Sequence, residues 1–135
     1  MNVEWIKIPV RPVSAQAKRA AKDKYIEVVK RCAKPRFPKP WSGSLSTQIF
    51  YVIARPVDNR NLSDLDNFDK LLLDTLKAVA YVDDRQICSK KSERIYCGER
   101  VVTSAAIMPP GNELQITAQL KKEECTFIGI TDVLL

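Results

Sequence analysis

Between two segments with the composition of β-strands, Leu45–Ala54 and Arg85–Ile95, the chain carries an apolar stripe at helical spacing. Leu65, Phe68, Leu72, Leu76 and Val79 recur at i, i+3, i+7, i+11 and i+14. This constrains the fold more than any other feature. A helix between two strands is how parallel strands are joined, so at least one parallel pair is expected, with the helix lying over the sheet. Upstream, Glu4–Ile8 reads as a short strand closed by Pro9 and Pro12. Ser14 is then a plausible N-cap for a first helix ending near Ala33, whose apolar set is Ala17, Ala21, Tyr25, Val28, Val29 and Cys32. Ser63 followed by Asp66 fits the capping pattern for the second helix. Residues 34–43, with Pro35, Pro38, Pro40 and Trp41, form an irregular loop, and Val101–Ile107 and Leu114–Leu120 read as two further strands. The expectation is an α/β (α+β) fold: a small mixed β-sheet with two main helices on one face.

The length of 135 residues suits one domain with a real core, 1–135, without a second-domain linker. No run approaches the roughly 18–20 apolar residues of a membrane span, and nothing resembles a signal peptide, so a cytoplasmic protein with no membrane partner is expected. Its four cysteines contain no C-x-x-C pair. They are expected to be reduced thiols, most of them packed as small apolar residues.

The chain contains no histidine, which removes Ser-His-Asp and Cys-His nucleophiles, histidine-dependent zinc sites and any imidazole base. Enzymatic chemistry here would rest on carboxylates, lysines, thiols or an oxygen-held metal. Charge points to a partner class. The formal net charge is +6, and residues 1–44 hold eleven basic against three acidic side chains. A basic end beside a balanced body favours a polyanion such as nucleic acid, although a lysine-rich helix face is also ordinary solvated surface.

The chemistry-bearing segment is 62–70, Leu-Ser-Asp-Leu-Asp-Asn-Phe-Asp-Lys, followed by Asp83-Asp84. Clustered carboxylates repel one another unless protons or a cation neutralise them. Mg²⁺ prefers oxygen ligands and is commonly held by a few carboxylates plus substrate phosphate. Lys70 falls one helical turn after Asp66 and could stabilise charge developing on a phosphoryl group. Acidic residues at a helix start and an Asp-Asp turn are equally ordinary capping and surface chemistry. A helix of about 15 residues is ~22 Å long. Asp84 therefore reaches Asp64 and Asp66 only if the chain doubles back or a second subunit contributes.

Residues 62–87 resemble the signature of the RusA family of Holliday junction resolvases: Asp-x-Asp-Asn, an apolar and a variable residue, Lys, a Leu-Asp-x-Leu helix, then Asp-Asp-x-Gln-Ile. A looser likeness covers 6–31. The resemblance implies a small, dimeric, Mg²⁺-dependent endonuclease, with Mn²⁺ as a substitute. Such enzymes are often phage- or prophage-borne and nick opposed strands of four-way DNA junctions in recombination and repair, at the nucleoid of a bacterial host. It implies metal-liganding and catalytic roles for Asp64, Asp66 and Asp84, a catalytic role for Lys70, a weaker metal or turn-shaping role for Asp83, and a supporting role for Asn67. Asp69 lies at a variable position and reads as helix-start charge; Asp74 matches the pattern but could pair with Lys70 or Lys77. Candidate DNA contacts are Lys18, Arg19, Lys22, Arg36, Lys39, Arg60, Lys90 and Lys91.

Three departures stand out. Ala78 replaces a frequent Gly, Ser63 replaces a frequent basic residue, and the segment 108–135 extends beyond a family core of about 1–107. Two rival functions remain: a catalytically weak or inactive junction-binding protein, and a metal-dependent phosphohydrolase acting on nucleotides. Salt-sensitive junction binding separates the nucleotide enzyme from the other two.

Overall fold

Strand β2, Leu45–Ile53, is buried at every position but one, because it has a neighbour on each edge and a layer on each face. The computed structural model describes residues 2–58 and 62–133. Its sheet has the order β1-β4-β2-β3, where β1 is Val3–Ile8, β3 is Ile87–Tyr96 and β4 is Cys125–Asp132. β2 runs parallel to β3, while β4 is antiparallel to both β1 and β2. The parallel pair is bridged by helix α2, Leu65–Leu76, as the apolar stripe requires.

Alternation along β2 and β4 divides the core in two. Leu45, Ile49 and Tyr51, with Ile128 and Ile130, meet Tyr25, Val29 and Ala33 of helix α1 (Arg19–Ala33) and Phe68, Leu72 and Leu76 of α2. Phe50, Val52, Cys125 and Phe127 face the other way, against Leu114 and Ala118. The mixed sheet with two main helices on one face is thus observed. A third helical segment, α3 (Glu113–Gln115, continuing as a π-helix over Ile116–Lys121), covers the opposite face.

Several local expectations are corrected. Ser14 does not cap α1. Its Oγ accepts from Gln16 N and its carbonyl from Ala17 N, both at 3.0 Å, closing a separate turn, and the helix starts after Lys18. Asp64, not Ser63, is the N-cap residue of α2. Leu114–Leu120 is helical. Its alternation is equally an i, i+3, i+4 pattern, and Leu114, Thr117 and Ala118 are the buried positions. Residues 101–107 form no strand; they are held along β3 by side chains, Thr103 Oγ1 donating to Glu93 at 2.6 Å and Lys91 Nζ to Ser104 Oγ at 2.7 Å. The unforeseen strand is β4, whose first seven residues are all buried. The 108–135 segment therefore supplies an interior strand of the sheet. Gly129 in that strand is needed for close approach: a Cβ there would lie 2.8 Å from the Trp5 ring. All four cysteines are free.

Helix α2 stops at Leu76, three residues before the stripe ends, because Lys77 is extended and Ala78 turns left-handed at φ 71°. Ala78 N donates to Tyr81 O at 2.6 Å, which reverses the chain towards Asp83. An Ala in this conformation is strained, so Ala78→Gly is expected to stabilise the protein by about 1 kcal/mol in urea unfolding. Phe127→Ala should cost about 3–5 kcal/mol if β4 is core. An unchanged unfolding midpoint would refute that role.

Candidate active site

The acidic residues of α2 are sorted by the helix period. Asp66, Lys70 and Asp74 are spaced at i, i+4 and i+8 on the exposed side, while Phe68, Leu72 and Leu76 point into the core. The chain then reverses at Ala78 and enters β3, which runs alongside α2. Between them lies a cleft of about 390 Å³, bearing Asp66, Asp69, Lys70, Asp74, Asp84 and Lys90 over apolar Leu73 and Ile87. Asp66, Asp84 and Lys70 thus line one cleft within a single chain. Asp64, exposed at the helix cap, is not among its walls. A second cleft of about 400 Å³, between residues 11–17 and Leu62–Ser63, has no carboxylate.

The turn that carries Asp84 is firmly built. Asp83 caps the short 3₁₀ turn Asp84–Gln86, its Oδ1 accepting from Arg85 N at 2.8 Å and from Arg85 Nε at 3.1 Å. These hydrogen bonds from Arg85 hold the Asp83 carboxyl down at about 2. Asp83 is therefore committed to the turn and does not line the cleft. Gln86 makes four bonds. Its Oε1 accepts from Val82 N and Asp83 N at 2.8 Å, and its Nε2 donates to the carbonyls of Trp41 at 2.7 Å and Gly43 at 2.9 Å. The proline-rich loop is thereby clamped to the Asp83–Asp84 turn. Asp84 itself lies 3.9 Å from Lys77, both half exposed. At the other end, Asn67 accepts through its backbone carbonyl from Ala15 N at 3.0 Å, tying the segment before α1 to the head of α2.

Asp69 departs most from its sequence reading. It is not helix-start surface charge but a buried carboxylate, 2% exposed. It accepts from the Tyr51 hydroxyl at 2.6 Å and Ser92 Oγ at 2.7 and 2.6 Å, and it pairs with Lys90 Nζ at 3.2 Å. Burial, and then the Asp69 charge, raise the Tyr51 hydroxyl far above its usual range. No periodicity signals this network, because Tyr51 and Ser92 come from strands distant in sequence. The same holds for Arg94, which donates to the Ser63 carbonyl ahead of α2.

The proposed DNA contacts scatter. Lys18, Arg19 and Lys39 are exposed; Arg19 lies 4.0 Å from Asp23. Lys22 Nζ donates to Ala15 O at 3.2 Å, and Arg36 lies 3.8 Å from Glu4. Lys90 and Lys91 point to opposite sides of β3, towards Asp69 and Ser104 respectively. Arg60 lies outside the described residues.

A family model described as Endodeoxyribonuclease RusA matches residues 10–104, a span that includes α2, the Asp83–Asp84 turn and β3. The chain belongs to the RusA family. It is accordingly an endodeoxyribonuclease, of a family that resolves Holliday junctions and in general depends on divalent metal. No curated protein matches the chain. Among the described residues no helix is long and apolar enough to cross a membrane.

The cleft suits such a cation in donor chemistry. Four aspartates against two lysines leave it at a formal −2, which one divalent ion cancels. Among the described residues no three cysteine or acidic side chains are gathered closely enough to hold a metal ion by themselves.

Tyr51 yields a pH prediction. A phenol raised in the folded state leaves stability intact below the unfolded value near 10 and erodes it above. Urea midpoints should therefore fall on going from pH 8 to pH 10.5. Tyr51→Phe should start lower at pH 8, having removed a donor from buried Asp69, and should fall less steeply. An equal slope in both proteins would contradict this account.

Proposed function

We propose that the chain is a Mg²⁺-dependent, structure-selective endonuclease that nicks opposed strands of four-way junctions, with Mn²⁺ as an alternative ion. The observation that carries this reading is the single cleft shared by Asp66, Lys70 and Asp84 in a RusA-family chain. When bound, the ion would supply an activated water and neutralise phosphate charge. Asp66 and Asp84 are the residues to hold it, and Asp64, exposed two residues before Asp66, is the further acidic candidate at that end. Lys70 projects from the helix wall between them and offers an ammonium to charge developing on the phosphoryl group.

The enzyme acts as a homodimer in this reading. A four-way junction presents two strands to cut, and a two-fold dimer presents two identical sites to them. Exposed Lys18, Arg19 and Lys39, with the remaining basic surface of residues 1–44, would hold the phosphate backbone, making affinity strongly salt-dependent. Such an enzyme would work at the nucleoid of a bacterial host. The binding-only alternative leaves unexplained why Lys70 shares the cleft with three exposed aspartates.

A labelled four-way junction incubated with Mg²⁺ tests the reading. Wild type should release paired nicked duplexes, excess chelator should abolish this, and Asp66→Asn should slow it by about 10³-fold or more. Equal cleavage, or equal inactivity, of wild type and Asp66→Asn would sink it.

A further inference from the structure

The proposed function gives Asp69 no role and leaves Lys90, a candidate DNA contact, paired with it; the inference drawn from the pair rests on the cleft being the DNA-cleaving site. A buried carboxylate is costly unless it is both hydrogen-bonded and charge-compensated. Tyr51 and Ser92 satisfy the first requirement for Asp69, and Lys90 satisfies the second. Lys90 is not consumed in doing so. Its side chain is 39% exposed, it lines the cleft, and an ammonium has three donors. The strand pleat sends Lys90 and Ser92 to the α2 side and Lys91 to the other, so only one of the two adjacent lysines is aimed at the cleft. A divalent ion would offset the charge of the anionic walls, and among the described residues the ammonium groups lining the cleft to meet further phosphate oxygens are Lys70 on α2 and Lys90 on β3.

We infer that Asp69 is a positioning residue for Lys90, and that Lys90 forms a second phosphate seat on the β3 wall, taking a non-bridging oxygen of the DNA strand across from Lys70. Asp69 orders a long, flexible side chain that would otherwise lose entropy on meeting its ligand. Tyr51 and Ser92 fix the carboxylate in turn, so the seat is built from β2, α2 and β3 together.

The test uses the full chain with Lys90→Met, Asp69→Asn and the double variant. Junction affinity is measured in EDTA over a salt series, thermal unfolding alongside it, and cleavage in Mg²⁺ at saturating enzyme. Loss of one phosphate contact should lower the slope of log affinity against log salt by about 0.9 in Lys90→Met and in the double variant. The double variant removes both members of the ion pair, so it reports the seat even if Lys90→Met alone unfolds. Asp69→Asn should keep the wild-type slope yet cut about tenfold more slowly, because the ammonium is present but unpinned. The cleavage losses should not multiply: the double variant should be no slower than Lys90→Met.

A double variant with the wild-type salt slope overturns the inference, since Lys90 would then merely neutralise Asp69. Asp69→Asn that melts earlier but cuts normally overturns the positioning role. Wild type that binds but never cuts removes the nuclease reading and with it the positioning role in cleavage, while the slope difference between wild type and the double variant still decides whether Lys90 contacts phosphate. Wild type that binds no junction removes both.

Discussion

The parallel pairing of β2 with β3 is the constraint on which the site depends. Parallel strands cannot be joined by a tight turn, so the chain must cross over the sheet, and α2 is that crossover. Once α2 lies over the sheet, the strand that follows runs alongside it. Acidic positions from the helix and from the return turn then face each other across a cleft. Asp66 and Asp84, 18 residues apart along the chain, thus border one cleft of the same molecule. The left-handed Ala78 and the Gln86 clamp set where the return begins.

Electrostatics divides the molecule by function. The cleft is negative overall and so suited to a divalent cation, while the N-terminal third carries the positive excess suited to a phosphate backbone. Within the cleft, the buried Asp69 is the exception to the rule that carboxylates stay wet. It is tolerated because two hydroxyls and an ammonium converge on it from neighbouring strands. Asp83 shows the opposite use of a carboxylate: engaged by Arg85, it builds the turn on which its neighbour Asp84 is displayed.

Strong periodicity made α2 legible from Leu65 onward, and β-branched and aromatic content made β2 and most of β3 legible. Capping was less so. Ser14 and Ser63 have the right chemistry for caps, but Ser14 closes a local turn with Gln16 and Ala17, and Asp64 takes the N-cap position of α2. Leu114–Leu120 reads as a strand because short apolar runs do not distinguish strand from helix, and 125–132 is assigned no element from the sequence. Leu114–Ala118 packs as a helix on the far face, whereas the continuous run Cys125–Thr131 is an interior strand.

By itself the sequence determined the chemistry available: no imidazole, aspartates clustered about one amphipathic helix, and a family signature from Leu62 to Ile87. Only the tertiary structure decided which of those aspartates share a cleft, that Asp83 serves the turn, and that Asp69 is buried against Tyr51, Ser92 and Lys90. The physical reason is that helix and strand periods are local and can be read along the chain. Burial and charge pairing between β2, α2 and β3 arise only when segments 18 or more residues apart are brought together by the crossover.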